Sequence, residues 1–357
     1  MSFTIVTDLP KYLKVVIKNV DLSVVNAVRR IIIAEVPTAA FAFEAYEDND
    51  VVIHKNTCAL HNEFLGHRIS LVPLLFTEEE IADFDTDKYR FVLKKKNQTT
   101  SIIPVTTADI EVYDADNHKY DKAFHNRLFP ANAITKDHIL LTKLKPNLYD
   151  PNNGEEIDIE CRASIGVGKT HARWSPTSKC TYNFTIDEKK LQEVRKTTMD
   201  KNKLETLDKY RHYIVNEHNE PCSFEFEIES ECGIPPRSLF RQALDILVRK
   251  VKTFADDLSI EKSTSVDNFY TLTVVNETHT LLNVLQCLIY NKWFHETKPK
   301  DNILEFIGYH QSHPLDNKMI LKLKFKDATT DPKEFLVAES ARIIADLEEF
   351  NAKWVRL

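Results

Sequence analysis

The chain has 357 residues, of which 43% are apolar and 28% charged, with 54 acidic side chains against 47 basic and a net charge of −7. Such a composition fits a globular protein of two or three domains whose core needs no disulfide or metal staple. The acidic balance argues against a protein that grips phosphates on its own, and six cysteines scattered without a C-x-x-C pair fit a reducing compartment. No basic-then-apolar leader opens the chain, no apolar run reaches the roughly 18 residues of a membrane span, and position 2 is Ser rather than a lipid-accepting Gly. A soluble intracellular protein with no membrane partner is the expectation.

In chain order, residues 1–48 read strand, helix, strand. The alternating Lys14-Val-Val-Ile-Lys18 precedes a helix over 23–35 that sets Val24, Ala27, Val28, Ile31 and Ala34 on one stripe, and Pro37 ends it. Residues 39–47 read as extended. A helix is expected over 56–70, with Leu60, Phe64, His67 and Arg68 at helical spacing. The acidic run 78–80 reads as a solvated helix start, and the lysines at 94–96 as a solvated strand end or loop rather than a binding patch. Short β-rich runs follow at 89–93, 102–105, 110–113, 139–141 and 157–160, separated by turn chemistry such as Asp150-Pro-Asn-Asn-Gly154. Residues 49–180 therefore form a β-rich insertion.

The polar stretch 187–220 reads as surface helix and linker, and 222–230 alternates as a half-buried strand. Pro235, Pro236 and a cap at Ser238 open a helix carrying Phe240, Ala243, Leu244, Leu247, Val251, Phe254 and Leu258 on one face. Residues 1–48 and 181–260 thus make one module around the insertion. From 261 the pattern restarts, with strands at 269–275, 303–309 and 318–326 and a helix at 280–291. The last helix has Asp331 as N-cap, Pro332 at N1 and Glu334 at N3, and its stripe is Phe335, Ala338, Ile343, Leu347 and Phe350.

Two of these helices share one pattern. Ser23-Val-Val-Asn26-Ala-Val-Arg-Arg-Ile-Ile32 returns as Thr280-Leu-Leu-Asn283-Val-Leu-Gln-Cys-Leu-Ile289, each copy after an alternating strand. The hydroxyl is expected as N-cap and the Asn at N3. A repeat so widely spaced points to two related halves pairing about a two-fold within one polypeptide, in an α+β fold.

Sites of chemistry are few. Gly166-Val-Gly-Lys-Thr170 resembles the end of a phosphate loop, but the first glycine that loop requires falls on Ala163. A nucleotide-binding enzyme using 166–170 is nevertheless the rival reading from a different class. Cys58/His61 and His310/His313 have ligand-like spacing, yet a structural zinc needs four ligands and neither pair has a second pair nearby. No nucleophile signature is present. Arg29 and Arg30 read first as the solvent face of their helix.

Three stretches resemble a known family: Asn26-Ala-Val-Arg-Arg-Ile-Ile-Ile-Ala-Glu-Val-Pro37, then Asn56-Thr-Cys-Ala-Leu-His-Asn-Glu-Phe-Leu-Gly-His-Arg-Ile-Ser-Leu-Val-Pro-Leu74, then His279-Thr-Leu-Leu-Asn-Val-Leu285 with His313-Pro-Leu315. They look like the α-type subunits of multisubunit DNA-dependent RNA polymerase. The first part resembles the third eukaryotic subunit and its archaeal counterpart, and the tail resembles the eleventh eukaryotic subunit and its own archaeal counterpart. A fourth stretch, 166–174, is similar to the family's K-G-x-x-K-x-H-A-K-W.

The resemblance implies a non-catalytic scaffold that seeds assembly by carrying the second-largest subunit, in a complex with the largest and the small subunits. DNA is met only through that complex. It implies partner contacts from Arg29, Arg30, Glu63, His67, Arg68, Lys169, His171, Arg173 and Trp174. It further implies a dimer seam at Asn26, Val28, Ile31, Asn283, Leu285, Phe335 and Leu347. No cofactor is expected, and residues 75–150 lack the cysteines of the metal loop found in many relatives. Cellular relatives keep the two subunits as separate chains, whereas fusion is a habit of large nucleocytoplasmic DNA viruses. A viral polymerase is therefore expected, placed in the host cytoplasm and virion, or in the nucleus if the source is cellular. Joining the halves also removes the need for a separate α-type partner.

Overall fold

A computed structural model describes residues 2–44, 49–197, 201–206 and 208–357. The chain begins with strands β1 (Ser2–Asp8) and β2 (Tyr12–Lys18), helix α1 (Leu22–Ala34) and strand β3 (Pro37–Ala40). Next come β4 (Val51–Asn56), α2 (Asn62–Ser70), α3 (Glu78–Ala82), β5 (Arg90–Lys96), β6 (Ile103–Thr106), β7 (Ile110–Tyr113) and α4 (Lys122–Leu128). They are followed by β8 (Leu140–Leu144), β9 (Glu156–Cys161), β10 (Ser164–Val167), β11 (Thr177–Phe184), α5 (Glu188–Thr197) and α6 (Lys201–Thr206). β12 (Ser223–Ser230) and α7 (Pro236–Asp256) lead into β13 (Ile260–Lys262), β14 (Phe269–Val275), α8 (His279–Tyr290), β15 (Leu304–Gln311), β16 (Lys318–Phe325) and α9 (Pro332–Val355). The architecture is α+β.

Two compact units divide the chain. The first holds residues 1–33, 179–229 and 236–357. It contains two antiparallel sheets of like size, ordered β1-β2-β12-β11 and β13-β14-β16-β15. Leu13, Val15 and Ile17 alternate inward on β2 and are fully buried, and their neighbours Phe224, Phe226 and Ile228 on β12 are buried beside them. Leu272 on β14 with Met319, Leu321 and Leu323 on β16 repeats the device in the second sheet. Residues 1–18 form a hairpin, β1 with β2, where the sequence suggested one strand.

Both copies of the repeated helix start earlier than expected. Asp21 accepts from the Ser23 backbone N–H at 2.7 Å, and Thr278 holds the equivalent position as N-cap of α8, accepting from Thr280 N–H. Ser23 and Thr280 are consequently not caps but buried residues within the first turn, and Asn26 and Asn283 lie beyond N3. Likewise α7 begins at Pro236, so Ser238 is inside the helix. On α9 Ala338 is exposed, and the buried stripe runs through Leu336, Glu339, Ser340, Ile343, Leu347, Phe350 and Trp354.

Glu227 of β12 faces lysines on both neighbouring strands, Lys179 on β11 and Lys14 on β2, the latter at 3.2 Å. Lys179 first, then Lys14, holds its carboxyl below the ordinary carboxylate range. A depressed carboxyl contributes stability that is present above the ordinary value of 4.5 and lost as pH falls through the lower folded value. Glu227→Gln is expected to flatten the acid side of the stability–pH curve in urea melts. An acid limb identical to the parent's would remove Glu227 from that role.

The second unit holds residues 34–178 and 230–235. Its main sheet is β4-β9-β5-β7, joined by two ribbons, β6-β8 and β10-β3. The core gathers Phe41, Phe43, Leu65, Ile69, Phe76, Phe91, Leu93, Val112, Leu144 and Ile159 around α2. The sequence placed the insertion's start at 49; the unit begins at 34 because β3 pairs with β10 and because Ala39, Phe41 and Phe43 belong to its core. The rest of the expected extended run, 45–47, lies outside the described residues.

The helix expected over 56–70 is shorter. Asn56 ends β4, and its side chain accepts from Cys58 N–H at 3.0 Å while donating to Leu60 carbonyl at 2.8 Å. An Asx-type turn therefore occupies 56–60, and α2 starts at Asn62. The acidic start at 78–80 is closed by a capping box between Thr77 and Glu80. Lys94, Lys95 and Lys96, expected as a solvated strand end or loop, close β5, where Lys94 and Lys95 pair with Asp158 and Asp109, each at 2.6 Å.

Candidate dimerisation and docking surfaces

The repeated helices meet side chain to side chain. Arg30 Nε on α1 donates to Thr280 Oγ1 on α8 at 2.8 Å. The repeat maps 30 onto 287 and 280 onto 23, and Cys287 and Ser23 come together at the other end of the junction, where both line one cleft. Contacts that exchange under the repeat are what a two-fold interface produces. Asn291, just beyond α8, adds a bond to Asp21 at 2.7 Å. It opens a π-helical turn, Asn291–Glu296, whose His295 ring stacks on His218 at 4.2 Å.

A larger apolar contact joins α7 and α9. Phe240 meets Trp354 at 4.4 Å and Phe350 at 6.3 Å, and Trp354 Nε1 donates to Arg237 carbonyl at 3.1 Å. Phe3 of β1 joins the same cluster, stacked on Phe350 at 4.7 Å. Asn351 donates to Asp245 at 2.6 Å and Lys252 meets Glu348 at 2.8 Å, so the two helices run antiparallel. Trp354 fully caps the stripe, being only 4% exposed.

Among the expected seam residues, Val28, Ile31, Leu285 and Leu347 are buried. Asn26 accepts from Arg29 Nε at 3.1 Å and Asn283 from Cys287 Sγ at 3.6 Å, so each serves its own helix. Phe335 is misplaced in that group: it packs on Trp293 at 5.6 Å and Phe325 at 5.1 Å, inside the second module. Arg30, expected to face a partner subunit, is committed to the Thr280 contact, and Arg29 beside it on α1 is held by Asn26.

The other expected partner residues belong to the second unit. Phe43 organises them. Its ring meets His67 edge-on at 5.4 Å and lies where a Cβ on Gly66 would stand, and its carbonyl accepts from Arg173 Nη2 at 2.9 Å. Arg173, with a fully buried side chain, also reaches Phe41 carbonyl at 3.5 Å, His171 Nδ1 at 3.0 Å and the Glu44 carboxylate. Desolvation first, then the Arg173 charge, pushes the His171 pKa down. Trp174 covers Gly166, whose missing Cβ leaves room for the indole, and its carbonyl accepts from Thr38 at 2.7 Å. Arg68 is tied to the Leu141 and Leu140 carbonyls at 2.9 and 2.7 Å. That leaves Glu63, Arg68 and Lys169 as exposed charges and His67, His171 and Trp174 as half-exposed rings. Arg173 is a strut rather than a contact offered outward, whereas Arg68 is exposed while tied to those two carbonyls.

Comparison with known proteins decides the family. A family model described as the RNA polymerase Rpb3/Rpb11 dimerisation domain matches residues 14–251, and a second model of that description matches 270–353. The chain belongs to the Rpb3/Rpb11 family. It is 27% identical over 274 residues to the Schizosaccharomyces pombe DNA-directed RNA polymerase II subunit RPB3, covering 70% of this chain and 85% of that protein. It is 25% identical over 296 residues to the mouse subunit RPAC1 of polymerases I and III, covering 67% of this chain and 79% of that one. Against subunit 3B of polymerases IV and V from Arabidopsis thaliana identity is 28% over 210 residues, covering 55% of this chain. There the chain spans 61% of the relative's length, under two thirds.

The two Rpb3/Rpb11-type matches fall on the two halves that the repeat relates, and the α1–α8 and α7–α9 contacts are the junction between those halves. The 166–170 segment has no phosphate cradle. The Lys169 N–H is bonded to Ala34 carbonyl at 2.7 Å and the Thr170 N–H to Val167 carbonyl at 2.9 Å, while the Trp174 ring sits on Gly166. Among the described residues no group of three or more His, Cys, Asp or Glu is placed to hold a metal, and no helix is long and apolar enough to cross a membrane. Sequence reasoning missed Phe3, Trp354 and the buried Glu339. Trp354 was findable, since it continues the Leu347–Phe350 stripe by one more helical turn.

Proposed function

We propose that this chain is a non-catalytic assembly subunit of a DNA-dependent RNA polymerase, in which one polypeptide supplies both halves of a dimer and carries the second-largest subunit. The observation that bears most weight is the pair of dimerisation-domain matches in a single chain, with the matched halves packed on one another through α7 and α9. The exposed Glu63, Arg68 and Lys169 with the half-exposed His67, His171 and Trp174 are the proposed docking residues, buttressed from behind by Arg173. The joined arrangement further supports a viral polymerase working in the host cytoplasm and packaged in the virion, in company with the largest and small subunits and meeting DNA through them.

The test is affinity purification of the tagged chain from its source, followed by mass spectrometry. The second-largest polymerase subunit is expected in stoichiometric amount. Glu63→Ala combined with Lys169→Ala should leave the melting curve unchanged and lower that recovery at least several-fold. Undiminished recovery would move the docking face elsewhere, and absence of any polymerase subunit from the wild-type purification would end the assembly reading.

A further inference from the structure

The two ends of the α1–α8 junction are related by the repeat, yet they are filled differently. At one end the Arg30 guanidinium donates to Thr280 Oγ1 at 2.8 Å, next to the cap residue Thr278. At the other end the same two positions carry Cys287 and Ser23, next to the cap residue Asp21. A thiol stops several atoms short of where a guanidinium would reach. On that side there is a cleft of about 730 Å³ lined by Asp21, Ser23, Glu220, Cys287, Asp346 and Arg342, among others.

We propose that this cleft binds an arginine side chain carried by a partner polypeptide. The internal repeat supplies the template: the equivalent space is filled in this structure by a guanidinium bonded to the equivalent hydroxyl. The lining charges agree. Asp21, Glu220 and Asp346 face Arg342, whose own guanidinium is held by Glu339 at 2.8 Å, Asp346 at 3.1 Å and the Leu288 carbonyl at 3.1 Å. Where the filled end has the neutral Thr278, the open end has the Asp21 carboxylate, which strengthens the preference for a cation. Asp21 already accepts from Ser23 N–H, from the Ser23 hydroxyl and from Asn291, but two carboxylate oxygens offer about four acceptor sites. A planar fork can reach that carboxylate and the Ser23 hydroxyl together, which a lysine ammonium does not match. The proposal rests on the pairing of the two halves alone, so its failure would leave the assembly reading intact.

Cys287 provides the readout, because it is half-buried and lines the cleft, whereas Cys58 belongs to the other unit. The full chain is treated with iodoacetamide, and modification at each cysteine is followed by mass spectrometry with N-acetyl-arginine amide or its neutral citrulline counterpart present. Arginine amide should slow Cys287 alkylation at least threefold and leave Cys58 unchanged, and citrulline amide should have no effect. Asp21→Asn keeps an N-capping side chain and removes the charge, so the protection should fall several-fold in a chain that still folds. Cys287→Arg, which supplies the guanidinium internally, should melt above wild type. Protection that is absent, shared by citrulline or unaltered in Asp21→Asn would overturn the proposal. So would a folded Cys287→Arg chain that melts no higher than wild type.

Discussion

Phe240→Ala is expected to destabilise the first unit by about 3–5 kcal/mol, the usual range for removing a buried aromatic ring. Phe240 is 1% exposed and touches four aromatic rings: Phe226 at 5.5 Å and Phe3 at 6.0 Å within the first module, and Phe350 and Trp354 on α9 of the second. A single truncation thus opens a void where the two halves share a core, and the loss exceeds that of a residue serving one half. Chemical denaturation followed by Trp fluorescence checks this. A loss under about 1 kcal/mol would mean that α7 and α9 repack readily around the gap. Trp354→Phe should cost less, because it keeps the ring and gives up the bond from Nε1 to the Arg237 carbonyl.

Arg173→Ala is expected to have the second-largest effect, on the order of 3 kcal/mol in the second unit. The substitution strands the Phe41 and Phe43 carbonyls without their donor in a buried site and releases His171 from its partner. The Glu44 carboxylate is half-exposed and returns to water at little cost, which keeps the loss below that of a fully buried pair. Arg173→Lys should recover only part of the stability, because one ammonium cannot reach two carbonyls, a carboxylate and an imidazole as a fork does. Urea melts of the three proteins decide the matter: equal midpoints for Ala and wild type would demote Arg173 to an ornament of the loop.

The periodic parts of the chain were legible in the sequence. The stripes on α1 and α7 and the alternation on β2 and β12 each report burial of one face, and that is a local pattern. Cap positions were less legible. Ser23 and Thr280 have the chemistry of caps, but Asp21 and Thr278 stand two residues earlier and compete for the role, and the fold gives it to them. The start of α2 was lost for a similar reason: Asn56 has a side chain able to close a turn on its own backbone, and it does so in place of continuing into helix. Where burial depends on a distant partner, the pattern is silent. Glu339 looks like a surface residue, yet it is 3% exposed, because Lys292, Arg342 and the Trp293 N–H converge on it. Arg173 and Arg30 show the same limit, since nothing near them in the sequence says that the Phe41 and Phe43 carbonyls or the Thr280 hydroxyl will take up their guanidinium groups.

Phe3 lies on the first strand, and the rings that hold it, Phe350 and Trp354, lie on α9. During synthesis β1, β2 and α1 leave the ribosome early, long before α9 exists. The apolar face that α7 will share with α9 must wait, exposed, while the second module is made. In this chain a helix translated well after α7 finishes the first module, so a product stalled before α9 would carry an open aromatic cluster and invite chaperones or proteases.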